Sequence, residues 1–310
     1  MTALICGSMA YDTIMVFQDK FKHHILPEQV HILNVSFLVP ELRREYGGCA
    51  GNIAYNLKLL GAEPLIMATV GKDFGPYAQW LAYCGIRQDF IKVLDDTYTA
   101  QAYITTDLDD NQITAFHPGA MAFAHLNQVP ADPSIRLGIV APDGREGMLQ
   151  HAAQFAEAGI PFIFDPGQGL PMFDGRELLD FVERASWVAV NDYEAQLLKE
   201  RTGLTPEQLA RRVRALIVTQ GANGSLIYTE GDCLAIPPAR PKAALDPTGC
   251  GDAYRAGLIY GLLEELDWPT IGRIASLMGA IKVESYGTQN HSFTLASFRE
   301  RYRDSFGQDL

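Results

Sequence analysis

From residue 136 onward, short apolar runs alternate with amphipathic stretches. The runs are LGIVAP at 137–142, PFIFDP at 161–166, WVAVND at 187–192 and ALIVTQG at 215–221. They carry almost no polar side chain, so each must be buried on both faces. Between them, residues 146–158, 176–185 and 194–201 place apolar residues at helical spacing. Buried strands separated by such helices predict a mostly parallel sheet flanked by helices on both sides, an α/β fold. Thr205-Pro206-Glu207-Gln208 opens a further helix, with Thr as cap, Pro in the first turn and Gln three residues after the cap. Upstream, 52–60, the run PLIMATVG at 64–71 and a helix at about 77–84 follow the same rhythm.

Two segments leave that rhythm. Residues 10–46 and 97–118 are β-branched and aromatic in alternation and carry no helical pattern. In the second, TAQAYITT and QITAFH flank Asp107-Leu108-Asp109-Asp110-Asn111, the signature of a hairpin with a polar turn. These excursions predict a small β-sheet lid over one edge of the main layer. No Gly/Pro/Ser-rich linker and no repeat interrupts the 310 residues, so a single α/β domain, 1–310, is expected.

Asp and Glu number 37 against 25 Lys and Arg, a formal net charge of −12. Such a surface repels nucleic acid and acidic membranes unless a local basic patch intervenes. The densest basic run, Arg211, Arg212 and Arg214, lies beside Glu207 and reads as a solvated face. Cys6, Cys49, Cys84, Cys233 and Cys250 fit neither a disulfide framework nor zinc spacing. The start MTALICGSMAYD lacks a basic region, and no apolar run approaches the roughly 20 residues of a membrane helix. A cytoplasmic protein with free thiols is expected. His23, His24, His31, His117, His125, His151 and His291 are scattered and show no metal-ligand spacing.

The chemistry concentrates in Asp246-Pro247-Thr248-Gly249-Cys250-Gly251-Asp252, followed by the helical pattern RAGLIYGLLEEL. Two glycines and a small residue at a helix start let successive backbone N–H groups converge on one anion. Asp252 at its mouth reads either as a helix cap or as a base. A carboxylate beside a nest for negative charge suits a group that takes a proton from something attacking a phosphate. No Walker G-x-x-x-x-G-K-[ST] and no dinucleotide fingerprint is present.

DPTGCGDAY resembles the carboxy-terminal signature of the ribokinase-like sugar and nucleoside kinases, the PfkB family. The resemblance covers nearly the whole chain. It implies a ribokinase-like fold and transfer of the ATP γ-phosphate to a substrate hydroxyl, with Asp252 as base and Gly249, Cys250 and Gly251 as anion hole. Cys250 stands where Ala is common. Gly7-Ser8 with Asp12 resembles the opening motif, and Gly47-Gly48-Cys49-Ala50-Gly51-Asn52 the early Gly-Gly signature; Asp12, Gly48 and Asn52 are thereby implied to hold substrate. Gly71-Lys72-Asp73-Phe74-Gly75 matches a turn in which an acidic residue is usual at Lys72. Asn191 and Glu194 fit the family's Asn-x-x-Glu, linked to Mg²⁺, here through water, and to phosphate. Thr219, Gly221 and Gly224 resemble its nucleotide loop. A potassium ion near the anion hole is a further implication, with Asp246 and Ser285 as donors.

Local structure offers alternatives: a turn for Asp12, a capping box for Asn191 and Glu194, and a hairpin for Gly221 and Gly224. Ribokinases usually carry Asn where this chain has Ala10, and sugar kinases of this type often carry Asn where it has Met121. Phe116 and Met121 suit the face of a purine, and Gln101 and Gln168 its edge. The expectation is therefore a cytoplasmic, ATP-dependent nucleoside kinase of adenosine or inosine type. Its alternatives are a ribokinase- or fructokinase-like sugar kinase, and a non-catalytic sensor with the same fold. Pairing through the lid sheet would give a homodimer.

Overall fold

The computed structural model describes residues 2–25, 34–109, 111–229 and 231–310. The part of the first lid segment at 26–33, with His31, and Asp110 of the hairpin turn lie outside the described residues. Strand β1 (Thr2–Cys6) runs near the middle of a large sheet. On one side lie β4 (Glu63–Gly71) and β5 (Arg87–Leu94). On the other follow β8 (Ile135–Val140), β9 (Phe162–Phe164), β10 (Trp187–Asn191), β11 (Ala215–Thr219), β12 (Ser225–Tyr228) and β13 (Cys233–Ile236). Pairing is parallel from β5 to β11 and antiparallel from β11 to β13. The inner parallel strands are those with apolar runs, whereas the parallel edge strand β5 carries Arg87, Gln88, Asp89 and Lys92 and is exposed or half-buried throughout. Period two sends Ala3 and Ile5 into one core and Leu4 and Cys6 into the other.

The first core is covered by α1 (Cys49–Leu59), α2 (Gly75–Tyr83), α7 (Cys250–Leu263) and α8 (Trp268–Lys282), with α9 (Leu295–Phe306) packed outside α8. The second is covered by α3 (Arg145–Glu157), α4 (Gly175–Arg184), α5 (Asp192–Thr202) and the short α6 (Pro206–Ala210). Thr205 caps α6 through a complete capping box with Gln208, as its sequence predicts. After β11 the chain reverses through a 3-10 turn at Gly221–Asn223 into β12, so the hairpin reading of that glycine pair describes the backbone.

The two excursions supply a separate sheet in the order β3 (Glu41–Gly47), β2 (Ala10–Val16), β6 (Ala100–Thr106) and β7 (Gln112–His117). Its register divides the side chains between two faces. Asp12 pairs with Glu45 and Ala102, and Ala102 with Phe116, so these share one face. Thr13 pairs with Arg44 and Tyr103, and Gln101 with His117; these share the other. Among the described residues no helix is long and apolar enough to cross a membrane.

Candidate active site

Parallel sheets present ligand loops beyond the C-terminal ends of their strands. Here the turn after β1 is tied to two of them: Ser8 N donates to Pro142 O at 2.9 Å, and Ala50 N donates to Ser8 O at 2.9 Å. Cys49 N donates to Ser8 Oγ at 3.2 Å. The start of α1 is thus fixed beside the loops that follow β1 and β8. Gly48 makes this turn possible. Its φ is +86°, and a Cβ there would lie 2.6 Å from backbone atoms of residues 8–10.

The N-terminus of α7 faces the same region. Gly249 caps it in the left-handed conformation, φ 79°, and a Cβ on Gly251 would meet nothing within 4 Å. Open space therefore lies beside Gly251 in the first turn, while a Cβ on Gly249 would meet Thr288 Cγ2 at 3.1 Å. Asp252 stands in that first turn. Burial pushes its carboxyl up to about 7, opposed by the hydrogen bond from Asn52, reinforced by the charge of Asp165 and opposed again by Arg255 and Cys49. Such a carboxyl is poised to take a proton at neutral pH.

Asn52, on α1, donates from Nδ2 to Asp252 Oδ2 at 2.8 Å. Gln289 holds the other end of that amide, donating from Nε2 to Asn52 Oδ1 at 3.0 Å. Trp80 Nε1 in turn donates to Gln289 Oε1 at 2.8 Å, and Gln289 Nε2 also donates to the Tyr77 hydroxyl at 2.6 Å. Sequence reasoning missed Trp80, Tyr77 and Gln289, which carry no motif. It also missed Arg255 and Asp165. Arg255 donates from Nε and Nη2 to the two Asp165 oxygens at 3.1 and 3.0 Å, and to Ala189 O at 3.2 Å, all buried. A lone arginine opening the otherwise apolar run of α7 was the available signal.

Asp12 lies over Gly47, where a Cβ would come within 2.5 Å of Asp12 Oδ2. Burial, then the carboxylates of Glu45 and Asp246, push Asp12 up to about 6. The small sheet thereby brings Asp12 within the field of the loop that leads into α7. Phe116, on the same face, is 53% exposed, so it is not part of a core within the sheet. Met121 is half-buried, and its carbonyl lies against Gly144 in the loop after β8. Gln168 is exposed, three residues past Asp165 at the end of β9.

Gln101 is not brought together with Asp12 and Phe116. It occupies the opposite face of the small sheet from Asp12 and Phe116, where its Nε2 donates to Thr13 Oγ1 at 2.7 Å. It lines a depression of about 480 Å³ with Arg44, Asp73, Tyr103 and His117.

Asn191 and Glu194 form the capping box of α5. Glu194 N donates to Asn191 Oδ1 at 2.7 Å, and Asn191 N to Glu194 Oε2 at 2.8 Å. Asn191 Nδ2 donates to Glu194 Oε1 at 2.9 Å, so both carboxylate oxygens are engaged. Burial raises the Glu194 carboxyl above its ordinary range. Among the described residues no group of three or more His, Cys, Asp or Glu side chains is placed to hold a metal directly. This oxygen set fits a hydrated Mg²⁺, which keeps most of its waters, better than a bare one. Thr219 ends β11 beside Asn191, its partner in register, and Gly224, φ +91°, closes the turn that follows.

The potassium donors do not fit a free ion. Lys282, at the end of α8, donates from Nζ to Asp246 O at 2.8 Å and to Ser285 O at 3.1 Å. The Asp246 carboxylate is taken by Thr248 N and Gly287 N, each at 2.9 Å.

A carboxyl and a glycine-flanked helix start at one place, faced by loops from the strand ends, fit a phosphotransferase acting on a hydroxyl group. Residues 9–294 match the pfkB family carbohydrate kinase profile, and the chain belongs to that family. It is similar to a Burkholderia thailandensis nucleoside kinase solved with inosine, at 51% identity and a TM-score of 0.90 over 99% of both chains. The structure of that kinase with ADP-inosine superposes at a TM-score of 0.88, covering 99% of this chain and 97% of the other, at 52% identity. A nucleoside kinase of Methanocaldococcus jannaschii is 32% identical over 86% of this chain and 89% of its own.

Proposed function

We propose that the protein is an ATP-dependent nucleoside kinase that phosphorylates the 5′-hydroxyl of an adenosine- or inosine-type nucleoside. The observation that carries the reading is Asp252, half-buried, raised to about 7 and held by Asn52 in the first turn of the helix that Gly249 caps. The similarity to nucleoside kinases over nearly the whole chain supports the nucleoside rather than a free sugar.

In this reading Asp12, Gly48 and Asn52 hold the ribose, and Phe116 and Met121 meet the base. The 5′-hydroxyl gives its proton to Asp252 as its oxygen attacks the γ-phosphorus; the bond to the β,γ-bridging oxygen breaks and ADP leaves. The N–H groups at 249–251 meet the charge on the transferring phosphoryl oxygens. Asn191 and Glu194 would hold Mg²⁺ through its waters, and the metal would neutralise charge on the ATP phosphates. Thr219, Gly221 and Gly224 would border the nucleotide. The small sheet, carrying Asp12 and Phe116 on one face, would act as a lid that excludes water.

A phosphate-transfer panel with Mg-ATP tests this. Inosine or adenosine should show kcat/KM at least about tenfold above ribose and fructose, a gap of about 1.4 kcal/mol. Ribose or fructose outrunning every nucleoside would leave the sugar-kinase reading in its place.

A further inference from the structure

Lys282 is the last residue of an apolar helix, and its side chain is 0% exposed. A buried ammonium is costly unless its charge is compensated and its hydrogens are bonded. One loop pair supplies a compensating charge and acceptors for two of the three hydrogens. The carbonyls of Asp246 and Ser285 converge on Nζ at 2.8 and 3.1 Å. The Asp246 carboxylate adds a compensating charge, itself fixed by Thr248 N and Gly287 N. Leu245 N and Asp246 N both donate to Val283 O, at 2.8 and 3.1 Å, which clamps the two loops together. Four residues beyond Asp246 the chain enters α7 at Cys250, whose thiol also feels the Lys282 charge.

Converging carbonyl oxygens beside a carboxylate are the surroundings that a weakly hydrated monovalent cation seeks. Here a compact charge on a flexible stem already fills them. We propose that the Lys282 ammonium is the built-in monovalent cation of the anion-hole loop, so that the enzyme phosphorylates its substrate without potassium. The covalent cation holds the 246–249 turn so that the N–H groups of Gly249, Cys250 and Gly251 face the transferring phosphoryl group. A free ion is excluded because it would sit against a like charge at the same oxygens. Lys282 is thus a positioning residue, acting through the loop.

The inference rests on the kinase reading for its rate arm and on folding alone for its thermal arm. Wild-type protein would be assayed with Mg-ATP and inosine in potassium, sodium and choline chloride at one ionic strength. Its rates should agree within about twofold, and potassium should leave its Tm unmoved relative to sodium. Lys282→Ala empties the site; in choline its kcat should fall at least about tenfold, the scale of a misplaced anion-hole donor, with KM for inosine little changed. Potassium, but not sodium, should restore most of that kcat and raise the Tm of K282A by several degrees, as a ligand bound only to the fold does. Potassium-specific activation of the wild type by more than about threefold would overturn the proposal, as would a folded K282A blind to potassium in both rate and Tm. If K282A does not fold in choline, its recovery by folding in potassium and not in sodium is the supporting result, and failure in both salts is the overturning one. Should no nucleoside be phosphorylated at all, the Tm comparison still decides the cation question.

Discussion

Asn52 and Asp252 lie 200 residues apart in the chain and are joined by a 2.8 Å hydrogen bond from Nδ2 to Oδ2. That contact brings the start of α1 to the start of α7 and fixes the direction of the carboxylate. Removing the carboxylate while keeping its shape isolates the proton acceptor. Asp252→Asn should leave KM for inosine nearly unchanged and lower kcat by about 10²–10⁴. Steady-state kinetics at saturating Mg-ATP read this directly, and wild-type turnover by the variant would remove Asp252 from the mechanism.

The same substitution should stabilise the fold at alkaline pH. The Asp252 carboxyl is raised from its ordinary 3.8 to about 7, so the folded protein prefers it protonated. Stability is therefore complete below about pH 4 and declines as pH rises through about 7, where the folded protein must carry the buried charge. Asparagine never carries it. The Tm of D252N should exceed that of the wild type by about 2 °C or more at pH 8, with the gap closing toward pH 4. An equal or lower Tm at pH 8 would contradict the placement of the charge.

The rate should carry the opposite limb. With Asp252 raised to about 7 and Asp12 to about 6, both by burial first, kcat/KM should fall as pH drops. The slope should be about tenfold per pH unit just below 7, steepening below 6 as Asp12 also protonates. Asp12→Asn should lower kcat/KM overall and remove the steeper limb. A flat profile between pH 5 and 7 would exclude these two groups as the ionising pair.

Arg255 and Asp165 form a buried ion pair that anchors α7 to the end of β9. Arg255→Ala leaves Asp165 buried without its partner and should cost about 3–5 kcal/mol in urea unfolding. Arg255→Met combined with Asp165→Leu should recover most of that stability, because no uncompensated charge remains.

The faces of the small sheet make a paired prediction about substrate. Phe116 shares the Asp12 face, whereas Gln101 is turned to the other. Phe116→Ala should raise KM for inosine about fivefold or more through lost contact with the base, with kcat within about twofold. Gln101→Ala should change neither by more than about twofold. The reverse pattern would mean that the base binds on the outer face.

The sequence by itself determined the layer architecture, because buried strands, amphipathic helices and turn residues are set by neighbours in the chain. It likewise marked the helix start at 249–252, where two glycines, a small residue and Asp252 are contiguous, and the excursions that form the small sheet. The tertiary structure alone decided the rest. Asp252 is raised toward 7 by burial among residues from α1 and β9, and no stretch around position 252 carries that information. The register between β2 and β6 puts Gln101 on the face opposite Asp12, and register belongs to neither strand alone. Trp80, Tyr77 and Gln289 carry no motif and meet only in the fold. Asp246 and Ser285 were read as donors to a free ion. Only the packing of α8 against α7 shows Lys282 between them, because desolvation and charge act through space while motifs are written along the chain.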